Sequence, residues 1–245
     1  MSHSVISLGL GLGGGKSATS SGRSGGGGAY SNSVSILLDG TDERMVLDSE
    51  ISLSGAFTVS FWIKPLSGNE GWLMTGLGGT AAGGFYLSWY GPAYDNQLIV
   101  RDTGLTINTG IDTLVAGSWY HVAVIRDSSN NVKAYINGVQ RGPTDSSGAT
   151  TAAEFKYLGS VKTSSSNSLH GNMDEVALWD SDQTSNLAAI YNSGVPDDLS
   201  GLSPTHWWRM GDINGSSGTT IADQGSGSVN CETINSPAYS SDVPS

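Results

Sequence analysis

A pair of carboxylates facing each other across a cleft would mark a glycosidase, because a general acid and a nucleophile or base must flank the glycosidic bond. The 245-residue chain scatters its glutamates as Glu43, Glu50, Glu70, Glu154, Glu175 and Glu232. Asp174 and Glu175 are adjacent, and neighbours on a strand project from opposite faces, which does not suit a shared cleft. The four histidines, His3, His121, His170 and His206, have no spacing that fits a zinc site or a nucleophile with its base. Gly9, Gly11 and Gly14 match a bare G-x-G-x-x-G, but no strand pattern precedes them and no helix pattern follows. Gly15-Lys16-Ser17 ends like a phosphate-binding loop, yet Leu10 stands where that loop needs its first glycine. No enzymatic activity is expected from these residues.

Sugar binding fits the side chains better, since sugars stack on exposed aromatic faces and bond to nearby amides and carboxylates. Trp72, Trp89, Tyr90 and Tyr94 lie beside the Gly-rich stretches 77–84 and 91–95 and form the candidate glycan platform. Trp62, Trp119 and Trp179 read as core, and His121 as a sheet residue satisfied by a neighbour. With 22 acidic against 11 basic residues the net charge is −11, which repels nucleic-acid phosphates and anionic lipid headgroups. Neither nucleic acid nor membrane insertion is expected. Cys231 is the single cysteine, so no disulfide forms within the chain. The start, Met1 to Leu8, has no basic segment before its apolar residues, so no signal peptide is expected.

The elements that would position these groups are strands. Trp119–Arg126 and Val132–Ile136 alternate around Asp127-Ser-Ser-Asn-Asn131, and Asn137-Gly138 closes a second turn, which is a hairpin signal. Further short strands recur about every ten residues, the pattern of an all-β, two-sheet antiparallel sandwich. One short helix is expected over Gln183–Tyr191, capped by Asp182 or Thr184 and ended by Gly194. Residues 1–32 form a Gly/Ser-rich arm that cannot bury enough apolar surface to order itself; an assembly partner would hold it through Val5, Ile6, Leu8, Leu10 and Leu12. The domain proper is expected over residues 33–245.

Five segments carry a family resemblance. Ser35-Ile-Leu-Leu-Asp-Gly-Thr-Asp-Glu43, Phe57-Thr-Val-Ser-Phe-Trp-Ile-Lys-Pro65, the Trp119–Gly138 hairpin, Leu169–Trp179 and the helix through Gly194 are similar, in order, to the laminin-G-like or concanavalin A-like jelly roll. The resemblance implies a structural calcium held by Asp39, Gly40, Asp42 and Asp174, with Glu175 as a weaker ligand. The E-x-D-x-x-E spacing of the fold's sugar hydrolases is absent. The closing Trp207-Trp-Arg-Met-Gly-Asp212 and Ile221–Gly227, with the glycine-rich leader, resemble jelly-roll proteins encoded by marine bacteriophages. That resemblance implies a non-enzymatic virion protein, a capsid decoration or tail-fibre component made in the host cytoplasm. It would be oligomeric within the particle, joined to other virion proteins through the arm, and weakly adhesive to host surface glycans. The alternatives are a bacterial carbohydrate-binding module and a degenerate glycoside hydrolase. Fold analogy alone does not decide among them.

Overall fold

The computed structural model describes residues 30–68, 70–77, 84–102, 104–147, 151–161, 167–213 and 216–245. The arm up to residue 29, with its apolar anchors, lies outside the described residues. In chain order the strands are β1 (Ser35–Asp39), β2 (Arg44–Leu53), β3 (Phe57–Pro65), β4 (Glu70–Thr75), β5 (Tyr86–Tyr90), β6 (Gln97–Asp102), β7 (Leu105–Asn108) and β8 (Tyr120–Arg126). They continue as β9 (Val132–Ile136), β10 (Val139–Asp145), β11 (Ala153–Leu158), β12 (His170–Trp179), β13 (His206–Trp208), β14 (Thr220–Ile221), β15 (Cys231–Ile234) and β16 (Ala238–Ser240). The α-helix α1 (Leu187–Tyr191) lies between β12 and β13. One sheet runs β10-β9-β8-β3-β12-β1-β16, with β13 also on β12; the other runs β14-β15-β2-β11-β4-β5-β6-β7. Every strand pairing is antiparallel, so the all-β jelly-roll sandwich expected from the sequence is the fold.

Alternation decides what each sheet buries. On β8, Val122 and Val124 enter the main core with Phe57, Phe61 and Leu38, while Ala123 and Ile125 face away and pack on Leu187 of α1. The outward side of the first sheet is therefore also covered: Ala177 and Trp179 pack on Ile190, Leu199 and Trp207. Burial on both faces explains why β3 and β12 read as nearly continuous apolar or small-residue runs. The hairpin turn is built as its residues suggest. Asp127 Oδ1 accepts from the amides of Ser129 and Asn131 at 2.8 and 2.9 Å, and Asn130 takes φ +62°.

Three local expectations need correction. The helix is shorter than Gln183–Tyr191: residues Thr184–Asn186 form a 3-10 turn, whose Thr184 amide is capped by Asp182 Oδ1 at 2.8 Å. Its C-terminal left-handed residue is Asn192 at φ +43°, ahead of Gly194. Trp119 is not core. It precedes β8, is partly exposed, and its indole N–H donates to Asp242 Oδ1 at 2.8 Å. The C-terminal segment closes the sandwich: β15 pairs with β2 (Leu47 opposite Cys231) and β16 with β1 (Ile36 opposite Tyr239).

Candidate functional site

Asp39 ends β1 opposite His170 of β12, and Gly40 follows at φ +77°. A Cβ on Gly40 would meet the His170 Cβ at 2.7 Å, so only glycine fits the turn beside that strand. Asp39 Oδ1 accepts from the Thr41 amide, and Asp39 N donates to Glu43 Oε2, both at 2.8 Å. Asp42 turns its carbonyl to Arg44 and Asn235. Asp174 lies four residues along β12 from His170, about 14 Å at strand rise. The expected calcium set of Asp39, Gly40, Asp42 and Asp174 is therefore not brought together. Among the described residues no group of three or more His, Cys, Asp or Glu side chains is placed to hold a metal ion.

Asp174 and Glu175 instead sit in a separate buried cluster. The register of β12 against β3 shifts between Asp174 and Ala177, and Glu175 takes φ +47°, so the strict alternation assumed for these two residues fails at a bulge. Glu175 accepts from Trp207 Nε1 at 2.6 Å, Arg209 Nε at 3.1 Å and the Tyr30 hydroxyl at 3.3 Å. Arg209 also lies over the Tyr30 ring at 4.4 Å and donates to Ser31 O, while Asp212 Oδ1 accepts from Ser33 N and Oγ. Asp174 Oδ1 accepts only the Glu175 amide at 2.9 Å, and its Oδ2 is buried without a partner. The side-chain amide of Asn32 lies against it without completing a hydrogen bond. Burial, then the Glu175 charge, raises the Asp174 carboxyl well above the usual range. Burial also lifts Glu175, to about 7, against the pull of Arg209. Three donors converge on Glu175 and none reaches Asp174 Oδ2, so the proton belongs on Asp174 and the charge on Glu175. Glu175 and Asp212 fasten residues 30–33 to the sandwich, and Asp174 is buried beside them.

The open depression lies elsewhere, where β1 and β12 end beside the start of β4. It holds about 340 Å³ and is lined by Asp39, Gly40, Ser67, Gly68, Glu70 and the run from Asn167 and Ser168 to His170. Ser67 Oγ and His170 Nδ1 are hydrogen-bonded at 2.5 Å, and Asn167 Nδ2 donates to Glu70 Oε2 at 2.9 Å. Glu70 pairs across the ladder with Tyr90 of β5. Burial, with the Glu70 carboxylate beside it, pushes the Tyr90 hydroxyl up. Tyr90 meets Tyr94 at a ring separation of 5.4 Å. Tyr94 occupies a turn started by Pro92 and closed by Asp95 at φ +68°. Its side is 52% exposed, next to the 110–117 loop that carries exposed Ile111 and Val115 and is tied on through Asp112 N to Asp95 O and Gly117 N to Pro65 O.

Of the four aromatic residues expected to form a platform, none lines the depression itself; Tyr90 lies beside its Glu70 across the ladder, and Tyr94 lies next to Tyr90. Trp89 is not at the surface: alternation sends it into the core, fully buried, with its indole N–H donating to Leu114 O at 2.8 Å. Trp72 stands on the outer face two residues from Glu70, half-buried and edge-on to Tyr86 at 5.1 Å. The loop residues 78–83 lie outside the described residues. Ser67, Glu70, Asn167 and His170 were missed as site residues. One signal was available, since pairing the Asp39-Gly40 turn with the family's β12 segment places His170 beside it. His121 is scaffold: Nε2 contacts Ser60 Oγ at 2.8 Å, the ring packs on Trp62 at 5.2 Å, and burial lowers its pKa to about 3.

With this geometry in place, the comparisons are informative. No curated protein matches the sequence. Among solved structures, one described as a carbohydrate-binding protein from Bacteroides ovatus aligns with a TM-score of 0.66 and 19% identity, over 88% of this chain and 62% of that one. This chain thus spans less than two thirds of that protein. Domains LG4-5 of the mouse laminin α1 chain align at 0.46 with 13% identity, over 61% and 41% of the two chains. Domain 4 of an extracellular arabinanase from Geobacillus stearothermophilus, solved with arabinotriose, aligns at 0.41 with 22% identity, over 63% and 76%. At these identities the likeness is one of fold. A family model covers residues 39–187, from the Asp39 turn through β12 to the first residue of α1, so that the depression falls within the matched span; the chain belongs to the concanavalin A-like lectin/glucanases superfamily.

Proposed function

We propose that the chain is a non-hydrolytic carbohydrate-binding domain whose site is the Glu70 depression together with Tyr90 and Tyr94. One juxtaposition carries this reading: an open polar cavity with carboxylate, amide, hydroxyl and imidazole groups, whose Glu70 lies beside Tyr90 and, through Tyr90, near Tyr94 with half its surface in water. A pyranose ring offers an apolar C–H face and a rim of hydroxyls, which such a surface matches with stacking and with acceptors. The fold shared with the Bacteroides ovatus protein supports the same reading. Binding without cleavage is favoured because Asp174 and Glu175 are engaged in the buried cluster and Glu70 is engaged by Asn167. A virion role draws no support from the matched proteins.

Affinity electrophoresis and calorimetry against a panel of polysaccharides test the proposal. Tyr94→Ala is expected to weaken binding at least tenfold while leaving the melting temperature unchanged, because the side chain is exposed. Undiminished affinity in both Tyr94→Ala and Glu70→Ala would refute the site. Release of reducing ends by the intact protein would refute the non-hydrolytic assignment.

A further inference from the structure

We infer that the ligand is an uncharged glycan, and that the site discriminates against uronic, sialylated and sulfated sugars; this rests on the carbohydrate reading above. Among the described residues the depression is lined by two carboxylates, Asp39 and Glu70, and by no lysine or arginine. Asp42 and Glu43 lie in the turn after Asp39, and Asp95 and Asp112 lie in the two joined loops beside Tyr94. Among the described residues the basic side chains on the surrounding elements stay outside the lining and have partners of their own, although Arg101 is near enough to interact electrostatically with Glu70. Arg101, on the outer face two strands from Glu70, donates to the Tyr86 hydroxyl at 3.2 Å. Lys64 pairs with Asp242 at 2.7 Å, and Arg44 donates to Asp42 O at 3.1 Å.

Carboxylates accept hydrogen bonds and cannot donate them, so Asp39 and Glu70 fit the hydroxyl pairs of a neutral sugar ring. Asp39 Oδ1 is occupied by the Thr41 amide, and Glu70 by Asn167 and the neighbouring Tyr90 hydroxyl, which leaves each carboxylate with further lone pairs for a sugar hydroxyl. An anionic substituent at the same place would face two like charges with no lysine or arginine among the described lining residues to offset them, in a chain of net charge −11. Of the lining side chains able to donate, Asn167 is engaged by Glu70, Ser168 by Ser160, and Ser67 and His170 by each other. The site is therefore rich in acceptors, which selects polyhydroxylated neutral rings over oxyanions.

The test uses the full chain and matched probes. A neutral oligosaccharide array is screened first, and the best-binding oligosaccharide is then compared by calorimetry with its own C6-oxidised, uronic form. Sialyllactose against lactose, and a sulfated against an unsulfated hexasaccharide, serve as further pairs. The expected result is binding of the neutral member with the charged member at least tenfold weaker at low salt. The gap should narrow in high salt and in Glu70→Gln, because the discrimination is electrostatic. Equal or tighter binding of the charged member, lost in Tyr94→Ala, would overturn the inference while leaving the binding site standing. Binding of neither member of any pair would refute the carbohydrate reading itself, and this inference with it.

Discussion

Asp174→Asn replaces a buried acid with an isostere that cannot ionise, and its effect on stability should grow with pH. In the folded chain Asp174 is fully buried, Oδ2 has no donor, and Glu175 is adjacent, so its carboxyl is held well above the ordinary range. An unfolded aspartate titrates near ~3.9, so above that pH the folded state carries a proton that the unfolded state has released. Stability then falls as pH rises, by about 1.4 kcal/mol per unit, until the folded pKa is reached. The substituted chain lacks this slope, and the introduced amide finds Asn32 beside it, whose own side-chain amide is buried and unpaired. Above pH ~4 the difference between the two proteins should change by up to about 1.4 kcal/mol, or about 3–6 °C in Tm, per pH unit until the folded pKa is reached. His121 supplies an opposing slope. Its folded pKa is lowered to about 3, so stability rises with pH until the unfolded value near ~6.5. In the wild type this rise opposes the falling contributions of Asp174 and Glu175, and Asp174→Asn should shift the curve toward the rise due to His121. Urea unfolding measured at half-unit intervals from pH 4 to 8 provides the data. Parallel curves, with a difference independent of pH, would show that Asp174 is ionised in the folded protein and would refute the proton assignment.

Arg126 is buried, donates to the carbonyls of Gly55, Leu53 and Thr151 at 2.7 Å each, and lies over Phe57 at 4.7 Å. Arg126→Ala should destabilise by about 3–5 kcal/mol in urea unfolding, because buried acceptors lose their donor. Gly40→Ala forces a Cβ within 2.7 Å of the His170 Cβ at φ +77°; it should cost about 1–3 kcal/mol and weaken glycan binding, by calorimetry, through displacement of His170. Removal of divalent cations with EDTA should leave the melting curve unchanged, since Asp39 and Asp174 are held apart by the β1–β12 register; a drop reversed by calcium would show a site built from other residues.

The sandwich was legible because its signals are local. The short apolar runs of β3 and β8, and the Asp127–Asn131 turn with its side-chain bonds to backbone amides, declare themselves within a dozen residues. Pairings across the chain are a different matter. Nothing in Cys231 or its neighbours names Leu47 as the opposing residue, yet that pairing decides that the C-terminal segment completes the second sheet. The same limit governs the site. Tyr90 and Tyr94 were readable as aromatic residues beside a Gly-Pro turn, whereas Asp39, Glu70, Asn167 and His170 come from separate segments and meet only through the ladder. Trp89 shows how narrow the margin is, because one step along β5 separates a core indole from a surface phenol.

The bulge at Glu175 shows a local rule giving way to a favourable non-local arrangement. Alternation predicts that Asp174 and Glu175 diverge, but a left-handed residue in mid-strand, at a cost of about 1–3 kcal/mol, draws both into one buried cluster. The cost is offset by what Glu175 gains: bonds from Trp207 and Arg209 of the C-terminal segment and from Tyr30 ahead of β1. The segment ahead of β1, which pairs with neither strand there, is thereby joined at one carboxylate to the paired β12 and β13. Loss of that carboxylate in Glu175→Gln would leave Arg209 with only the longer Asp212 contact at 3.4 Å, and protease cleavage ahead of β1 should then accelerate. Unchanged cleavage would mean that strand pairing alone holds residues 30–33 in place.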